Sequence, residues 1–370
     1  MLRFDRRLLL NIDWVLIMAV LVVALIGLAN LYSSTHLYTN MGTPLYIKEL
    51  TYYLIGAAAI LLIVSIDYRV LLTLNYPLYG AMILLLVVAL AVGKTVGGSQ
   101  RWIDLGFFRL QPSEPAKLIL VVTLASYYYR KETGKGFGLL DLAVPALLTA
   151  LPFLLIAKQP DLGTALLLAF VFASMTLFVK LRWTTLATLL CCGLSAIPLA
   201  WKFFLKPYQR QRVATFLNPE NDPLGTGYHI IQSKIAVGSG LIFGKGYMQG
   251  TQGQLDFLPE RHTDFAFSVW AEEWGFFGSS LLIICYFFMI LWGLNIAISA
   301  RDKFGVLLAF GVVSLIFWQT FINLAMVMGL LPVVGVPMPL FSYGGSSLLT
   351  NLAGLGLLMN IRMRRYMGTS

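Results

Sequence analysis

Apolar runs of about twenty residues recur along this chain, and they leave it few ways to fold. Residues 14–31 hold no charge at all. At 1.5 Å of rise per residue, such a run as a helix matches the ~30 Å hydrocarbon layer of a bilayer. Strands of a membrane barrel would alternate apolar and polar residues instead. The runs lie roughly at 13–32, 48–66, 70–93, 113–130, 140–157, 161–180, 183–205, 264–297, 304–330 and 343–361. With 58% hydrophobic and 12% charged residues, a soluble domain is excluded. The expected fold is an all-α polytopic membrane protein of about ten transmembrane helices. It forms a single integral membrane domain over residues 1–370.

An even number of spans puts both termini on one side. Short loops and tails bearing Arg3, Arg6, Arg7, Arg69, Arg130, Lys180, Arg301 and Arg362 make that side cytoplasmic. The first run follows a basic flank but is too long for a signal-peptide core, so it reads as a retained span. Cys191, Cys192 and Cys285 lie in apolar runs without metal-ligand spacing and read as core packing. The net charge of +10 calls for anionic partners, and in a membrane protein headgroups and phosphates fit better than nucleic acid.

Charge on the outer side is concentrated. Five carboxylates, Asp256, Glu260, Asp264, Glu272 and Glu273, fall in the stretch DFLPERHTDFAFSVWAEEWGFFG, in a chain with 17 acids. Asp264 stands where polar loop gives way to membrane helix. Asp264, Ser268 and Glu272 are spaced to share one helix face, and a buried polar network is the expected setting of Glu272 and Glu273. In the 94–112 loop, Gly97 and Gly98 give a turn, and Arg101, Trp102 and Arg109 follow. Trp102 reads equally as an interfacial belt residue, and the arginines as headgroup ligands.

In QPSEPAKL, Glu114 suits the positive end of a helix and shares a face with Lys117. Asp161 in KQPDLGTA again follows a proline at an outer helix start. Glu114, Asp161 and Asp264 thus open three helices whose positive ends can converge on one anion.

Residues 206–263 form the one large extracytoplasmic loop, between the seventh and eighth spans. Arg210 and Arg212 stand there among apolar residues. Tyr228, Ile231 and Ile235 mark a helix lying on the membrane, and a run of glycines from Gly238 to Gly253 reads as flexible. The proline- and glycine-rich MGLLPVVGVPMPLFSYGGSS breaks helix geometry outside, with close helix packing at Gly344 and Gly345.

Cations that neutralise phosphate, beside a carboxylate that can accept a hydroxyl proton, suit a lipid pyrophosphate sugar as substrate. A divalent cation (Mg or Mn) would share the pyrophosphate charge, although no dedicated metal cage is visible. The motifs GGSQRWIDLG, QPSEPAKL, KQPDLGTA, FLNPENDPLGTGYHIIQSKIAVGSG, FLPERHTDFAFSV and PLFSYGGSS resemble those of the SEDS family (shape, elongation, division and sporulation) from the first span to the last. DPLGTGYHIIQSKIAVGSG, GKG and LPERHTDF are closer to its elongation branch, RodA, than to its division branch, FtsW.

The resemblance implies a peptidoglycan glycosyltransferase that polymerises lipid II into glycan strands outside the bacterial cytoplasmic membrane, during elongation and rod-shape maintenance. It implies as partners lipid II and the nascent lipid-linked glycan, a class B penicillin-binding protein transpeptidase, and other membrane proteins of the elongation complex. It makes Asp264 the essential acid and matches Arg101, Trp102, Arg109, Glu114 and Lys117 to family positions. Our assignment is Asp264 as general base, Arg109 and Lys117 on the pyrophosphate with Glu114 orienting Lys117, and Asp161, Arg210 and Arg212 as further substrate contacts. Pro115, Ala266, Trp270 and Trp274 depart from the family pattern and leave local packing open. Two rival readings remain at the level of sequence: a lipid-linked precursor flippase, with sites near the midplane, and a non-catalytic scaffold.

Overall fold

A computed structural model describes residues 11–365, apart from 37–42, 97–98, 105, 107–108, 132–133, 135, 200–201, 203–206, 222–224, 255–256 and 259. Arg3, Arg6, Arg7, the Gly97–Gly98 turn and Asp256 therefore lie outside the described residues. A helix stands at each of the ten apolar stretches: α1 (Trp14–Thr35), α2 (Leu45–Ser65), α3 (Val70–Val92), α4 (Ser113–Arg130), α5 (Leu139–Lys158), α6 (Leu162–Phe178), α7 (Trp183–Leu199), α11 (Ala266–Ile298), α12 (Lys303–Val327) and α13 (Gly345–Met363). By length and composition α1, α2, α3, α5, α11 and α12 can cross a membrane, and α6 and part of α7 are shorter apolar helices. Between α7 and α11 lie α8 (Pro207–Leu217), α9 (Thr226–Ser239) and the short α10 (Thr251–Gln254).

Carboxylates set several helix starts. Asp13, Asp161 and Asp302 accept the main-chain N–H of Leu16, Thr164 and Gly305 at 3.0, 3.2 and 2.7 Å, which satisfies donors that have no helical partner. Polar residues sort the helices by depth. α4 buries Ser113, Glu114, Lys117, Thr123 and Ser126, and packs against α3, α5, α6, α12 and α13. α12 is mostly buried too, and touches α4, α6, α11 and α13. Around this pair, α2 lies along α13 and α1 along α11. Cys191 and Cys192 are exposed on α7 rather than buried in a core; facing lipid satisfies an apolar thiol as well as packing does.

The 94–112 loop holds an addition to the all-helical plan, a small antiparallel sheet of β1 (Lys94–Val96), β2 (Ser99–Asp104) and β3 (Arg109–Leu110) in that order. It carries Arg101 and Trp102 on β2 and pairs Asp104 with Arg109.

The segment after α9 is tied down, against the flexible reading. α11 breaks at Gly275 (φ 62°, ψ −157°), and the loop fills the break. Lys245 and Gly246 donate their N–H to the carbonyls of Glu272 and Glu273 at 3.0 Å each. Phe276 and Phe277 donate to the carbonyls of Leu241 and Ile242 at 2.8 and 3.0 Å. Glu272 accepts from Lys245 Nζ (2.6 Å) and from the N–H of Thr251 (2.9 Å), while Glu273 accepts from the Ser33 hydroxyl. α9 packs on α11 through Ile230, Ser233 and Ala236, and Ser233 Oγ lies 2.9 Å from Ser268 Oγ. Tyr228, Ile231 and Ile235, the face expected to lie on the membrane, are not among its buried residues, and Ile235 is exposed.

Candidate functional site

Asp264 does not share the helix face expected of it. α11 begins two residues later, and Asp264 sits on a tight turn in which the N–H groups of Thr263 and Phe265 both reach the carbonyl of Glu260 at 3.1 and 3.3 Å. Glu260 has φ +52°, a costly conformation for a residue with a Cβ, and such strain collects at functional sites. The turn holds Asp264 at the wall of a cleft of about 1170 Å³.

The cleft is lined from distant parts of the chain. Lys48 and Tyr52 come from α2, Arg101 and Trp102 from β2, Arg109 from β3, and Glu114 from α4. Glu260, His262 and Asp264 come from the turn, and Tyr343 to Ser347 from the start of α13. Charge of both signs lines it. Lys48, Arg101 and Arg109 supply its cations and Asp104, Glu114, Glu260 and Asp264 its carboxylates. Arg109 and Glu49 act by charge on Tyr343, and Arg101 Nη1 lies 3.6 Å from Asp161 Oδ2.

Asp161 is buried beneath the cleft, where it accepts from Gln111 Nε2 at 3.2 Å and Ser113 Oγ at 3.3 Å. Burial raises the Asp264 carboxyl from 3.8 to about 6; the charges of Glu260 and Asp161 raise it further, and those of Arg101 and Arg212 oppose them. His262 is pushed the other way, below its ordinary 6.5, mainly by burial, so its imidazole is neutral at pH 7.

Of the residues chosen from the sequence, Asp264, Arg101, Trp102, Arg109 and Glu114 line the cleft. Asp161 lies beneath it. Lys117 is only 1% exposed, with Nζ 2.6 Å from Glu114 Oε2, so its charge reaches the cleft through Glu114. Arg212 donates to the Val333 carbonyl at 3.1 Å and acts on Asp264 through its charge. Arg210 is exposed, donates to the Lys202 carbonyl at 3.1 Å, and does not line the cleft. Lys48, Tyr52 and Tyr343 also line the cleft and are not among the site residues that the sequence motifs mark. Lys48 and Tyr52 are four apart in an apolar run, which puts them on one helix face, and that spacing was the available signal.

An apolar groove of about 260 Å³ runs between α4 and α13, lined by Leu110, Pro115, Leu118, Ile119, Leu349 and Ala353 among others. It shares Ser346 and Leu349 with the cleft. Among the described residues no three His, Cys, Asp or Glu side chains stand ready to hold a metal.

Residues 9–367 match the FtsW/RodA/SpoVE family, described as cell cycle protein. The chain is similar to the peptidoglycan glycosyltransferase MrdB of Escherichia coli K12, with 46% identity over 290 residues, 78% of each protein. It is 31% identical to the peptidoglycan glycosyltransferase RodA of Treponema pallidum, over 96% of this chain and 98% of that one. Among solved structures it resembles a chain of a peptidoglycan synthase complex that coordinates polymerization and crosslinking. That likeness has a TM-score of 0.82 and 34% identity, over 96% of this chain and 99% of that one. It also resembles the rod shape determining protein RodA of Thermus thermophilus, with a TM-score of 0.71 and 32% identity over 96% and 98%.

Proposed function

Because this chain belongs to the FtsW/RodA/SpoVE family, we propose that it is a peptidoglycan glycosyltransferase, a multi-pass protein of the bacterial cytoplasmic membrane that polymerises lipid II during elongation. The observation that carries this reading is the placement of Asp264. Its carboxylate, with a raised pKa, lines a cleft that also holds Lys48, Arg101 and Arg109 and that shares Ser346 and Leu349 with an apolar groove.

A hydroxyl of the acceptor sugar loses its proton to Asp264 as its oxygen forms a bond to the anomeric carbon of the donor. The bond from that carbon to the lipid pyrophosphate breaks, and the electron pair leaves with the phosphate. Arg109 and Lys48 meet the departing charge, and the polyprenyl chain follows the apolar groove into the bilayer. A carboxyl near 6 is still ionised at pH 7 and is a stronger base than an ordinary aspartate. Glu114 and Lys117 form a neutral pair behind the cations. Arg101 and Asp161 tune Asp264, and Trp102 offers an apolar surface to a sugar. A divalent cation, if bound, would share pyrophosphate charge with Arg109.

The same reading gives ten crossings, with both termini cytoplasmic and residues 206–263 outside. The cleft-side helix starts lie at one end. The pairs Arg69–Asp302, Arg362–Asp13 and Arg364–Asp67 gather at the other, where the basic loops belong. The partner is a class B penicillin-binding protein that cross-links the strands; the likeness to a synthase complex supports this.

The deciding experiment is polymerisation of purified lipid II by this protein with its transpeptidase partner, with moenomycin present to silence other glycosyltransferases. Glycan strands from the wild type and none from folded Asp264→Ala are expected. Strands made equally well by the variant would remove Asp264 from the chemistry, and none from either would favour a flippase or scaffold.

A further inference from the structure

Asn323 lies on α12, wholly buried, one turn beyond Gln319 and Thr320, which are buried on the same helix. Both hydrogens of its carboxamide go to main-chain carbonyls of different segments. Nδ2 is 2.9 Å from the carbonyl oxygen of Asp264 and 2.8 Å from that of Val336. Its own Oδ1 accepts no hydrogen bond among the described residues. A buried carboxamide left half-satisfied is destabilising relative to an apolar side chain of the same shape. The packing of α12 gives no reason for it, but the two carbonyls do.

One step from Val336 is Gly335, with φ +72°. A Cβ built there would stand 3.3 Å from Asp264 Oδ2, so the Asp264 carboxylate rests over the bare Cα of Gly335. The 330–343 loop and the Asp264 turn meet again where the N–H of Tyr343 donates to the His262 carbonyl at 2.9 Å. The Asn323 amide is the clamp nearer the carboxylate.

We propose that Asn323 is a positioning residue for the polymerisation reaction, fixing the Asp264 main chain against the Gly335–Val336 backbone so that the carboxylate is held over Gly335 and toward the cleft. Asn323 does not line the cleft and acts through the main chains of Asp264 and Val336 that it joins. This rests on the reading of Asp264 as the base. The arrangement makes the carboxylate's location depend on a side chain that substrate never meets, and a displacement of about 1 Å is enough to cost about 100-fold in rate. Freed from the clamp, the carboxylate would gain solvent. Its titration would then move down toward the ordinary carboxylate range, with Glu260, Asp161, Arg101, Arg212 and His262 still around it.

The test uses the full chain with its transpeptidase partner and lipid II, comparing Asn323→Ala, Asn323→Ser (which keeps one donor) and Gly335→Ala (which presses on the carboxylate from the other side). The expected result is a fall in kcat of about 10- to 100-fold for Asn323→Ala and Gly335→Ala, with KM little changed and partial recovery in Asn323→Ser. The acid limb of the rate profile of Asn323→Ala should move to lower pH. A packing role alone would reduce the amount of folded protein and leave that limb in place.

A second measurement needs no turnover. The gain in thermal midpoint on Asp264→Asn at pH 7.5 is compared in the Asn323 and Asn323→Ala backgrounds, or in Asn323→Ser if the alanine variant does not fold. A gain that shrinks with the Asn323 substitution supports the clamp. An unchanged gain, or wild-type kcat in folded Asn323→Ala, overturns it. If the wild type makes no glycan, the glycosyltransferase reading fails, and the thermal comparison still decides whether Asn323 holds Asp264.

Discussion

Arg101 reaches from the small sheet to Asp161, its Nη1 3.6 Å from Oδ2, and both charges act on Asp264 in opposite directions. Arg101 lowers the Asp264 carboxyl and Asp161 raises it. Arg101→Ala should therefore push Asp264 above its value of about 6 and carry the rising limb of polymerisation to higher pH. At pH 6.5 the rate should fall by up to about 10-fold. Arg101→Lys should keep the limb in place, because the charge survives. Initial rates of glycan formation from pH 5 to 9 check this, and a limb that ignores Arg101 would mean its charge does not reach the base.

The same raised carboxyl predicts a stability cost at the site. Asp264 has a higher pKa folded (about 6) than its ordinary value of 3.8, so the folded protein holds the proton more tightly. Its contribution is most favourable below 3.8 and is lost as the pH rises through about 6. That gap corresponds to at most about 3 kcal/mol at neutral pH, less for the solvent the cleft admits. Asp264→Asn should consequently melt higher than wild type at pH 7.5 and lose that advantage near pH 4, while making no glycan. Thermal midpoints of the detergent-solubilised protein across pH measure it.

The helices were legible in the sequence because runs of about twenty apolar residues have few other uses. The carboxylate-bearing helix starts were legible too, since Glu114, Asp161 and Asp264 each announce a border between polar loop and apolar run. What the sequence hid is how those borders meet. Lys48 and Tyr52 stand in an apolar helix and look lipid-facing until α2 lies along α13 and turns them to the cleft. The glycines after α9 look flexible until the break in α11 shows that they are small for close contact. Lys117 looks like a phosphate ligand, but its ammonium is already held by Glu114. Each of these depends on a contact between segments far apart in the chain, which periodicity does not record.

Lys117 and Glu114 are both nearly inaccessible, so neither charge tolerates loss of the other. Lys117→Met leaves a carboxylate uncompensated at a helix start in the middle of the bundle, and should cost about 3–5 kcal/mol of stability. Glu114→Gln with Lys117→Met removes both charges and should recover most of that loss. Denaturation of the single and double variants, read as a thermodynamic cycle, gives the coupling. The double variant should still polymerise at least about 10-fold more slowly than wild type, because the cleft wall loses its carboxylate. Full activity in the double variant would assign the pair to folding alone.

The break in α11 is a last place where one atom decides the outcome. Gly275 has φ +62° with ψ −157°, a backbone region that residues with a Cβ avoid. A Cβ there would lie 2.3 Å from the Gly244 nitrogen and 2.7 Å from the Gly240 oxygen. Gly275→Ala therefore strains the helix and expels the loop that supplies N–H groups to Glu272 and Glu273, at a cost of at least about 2–3 kcal/mol. Gly238, on exposed helix with open space around its missing Cβ, is the matched control. Gly238→Ala should be neutral or stabilise by up to about 1 kcal/mol through helix propensity alone. Limited proteolysis distinguishes the two: cleavage within 241–254 should accelerate in Gly275→Ala and stay at the wild-type rate in Gly238→Ala. Equal protection in both would mean that the loop does not depend on the break for its seat.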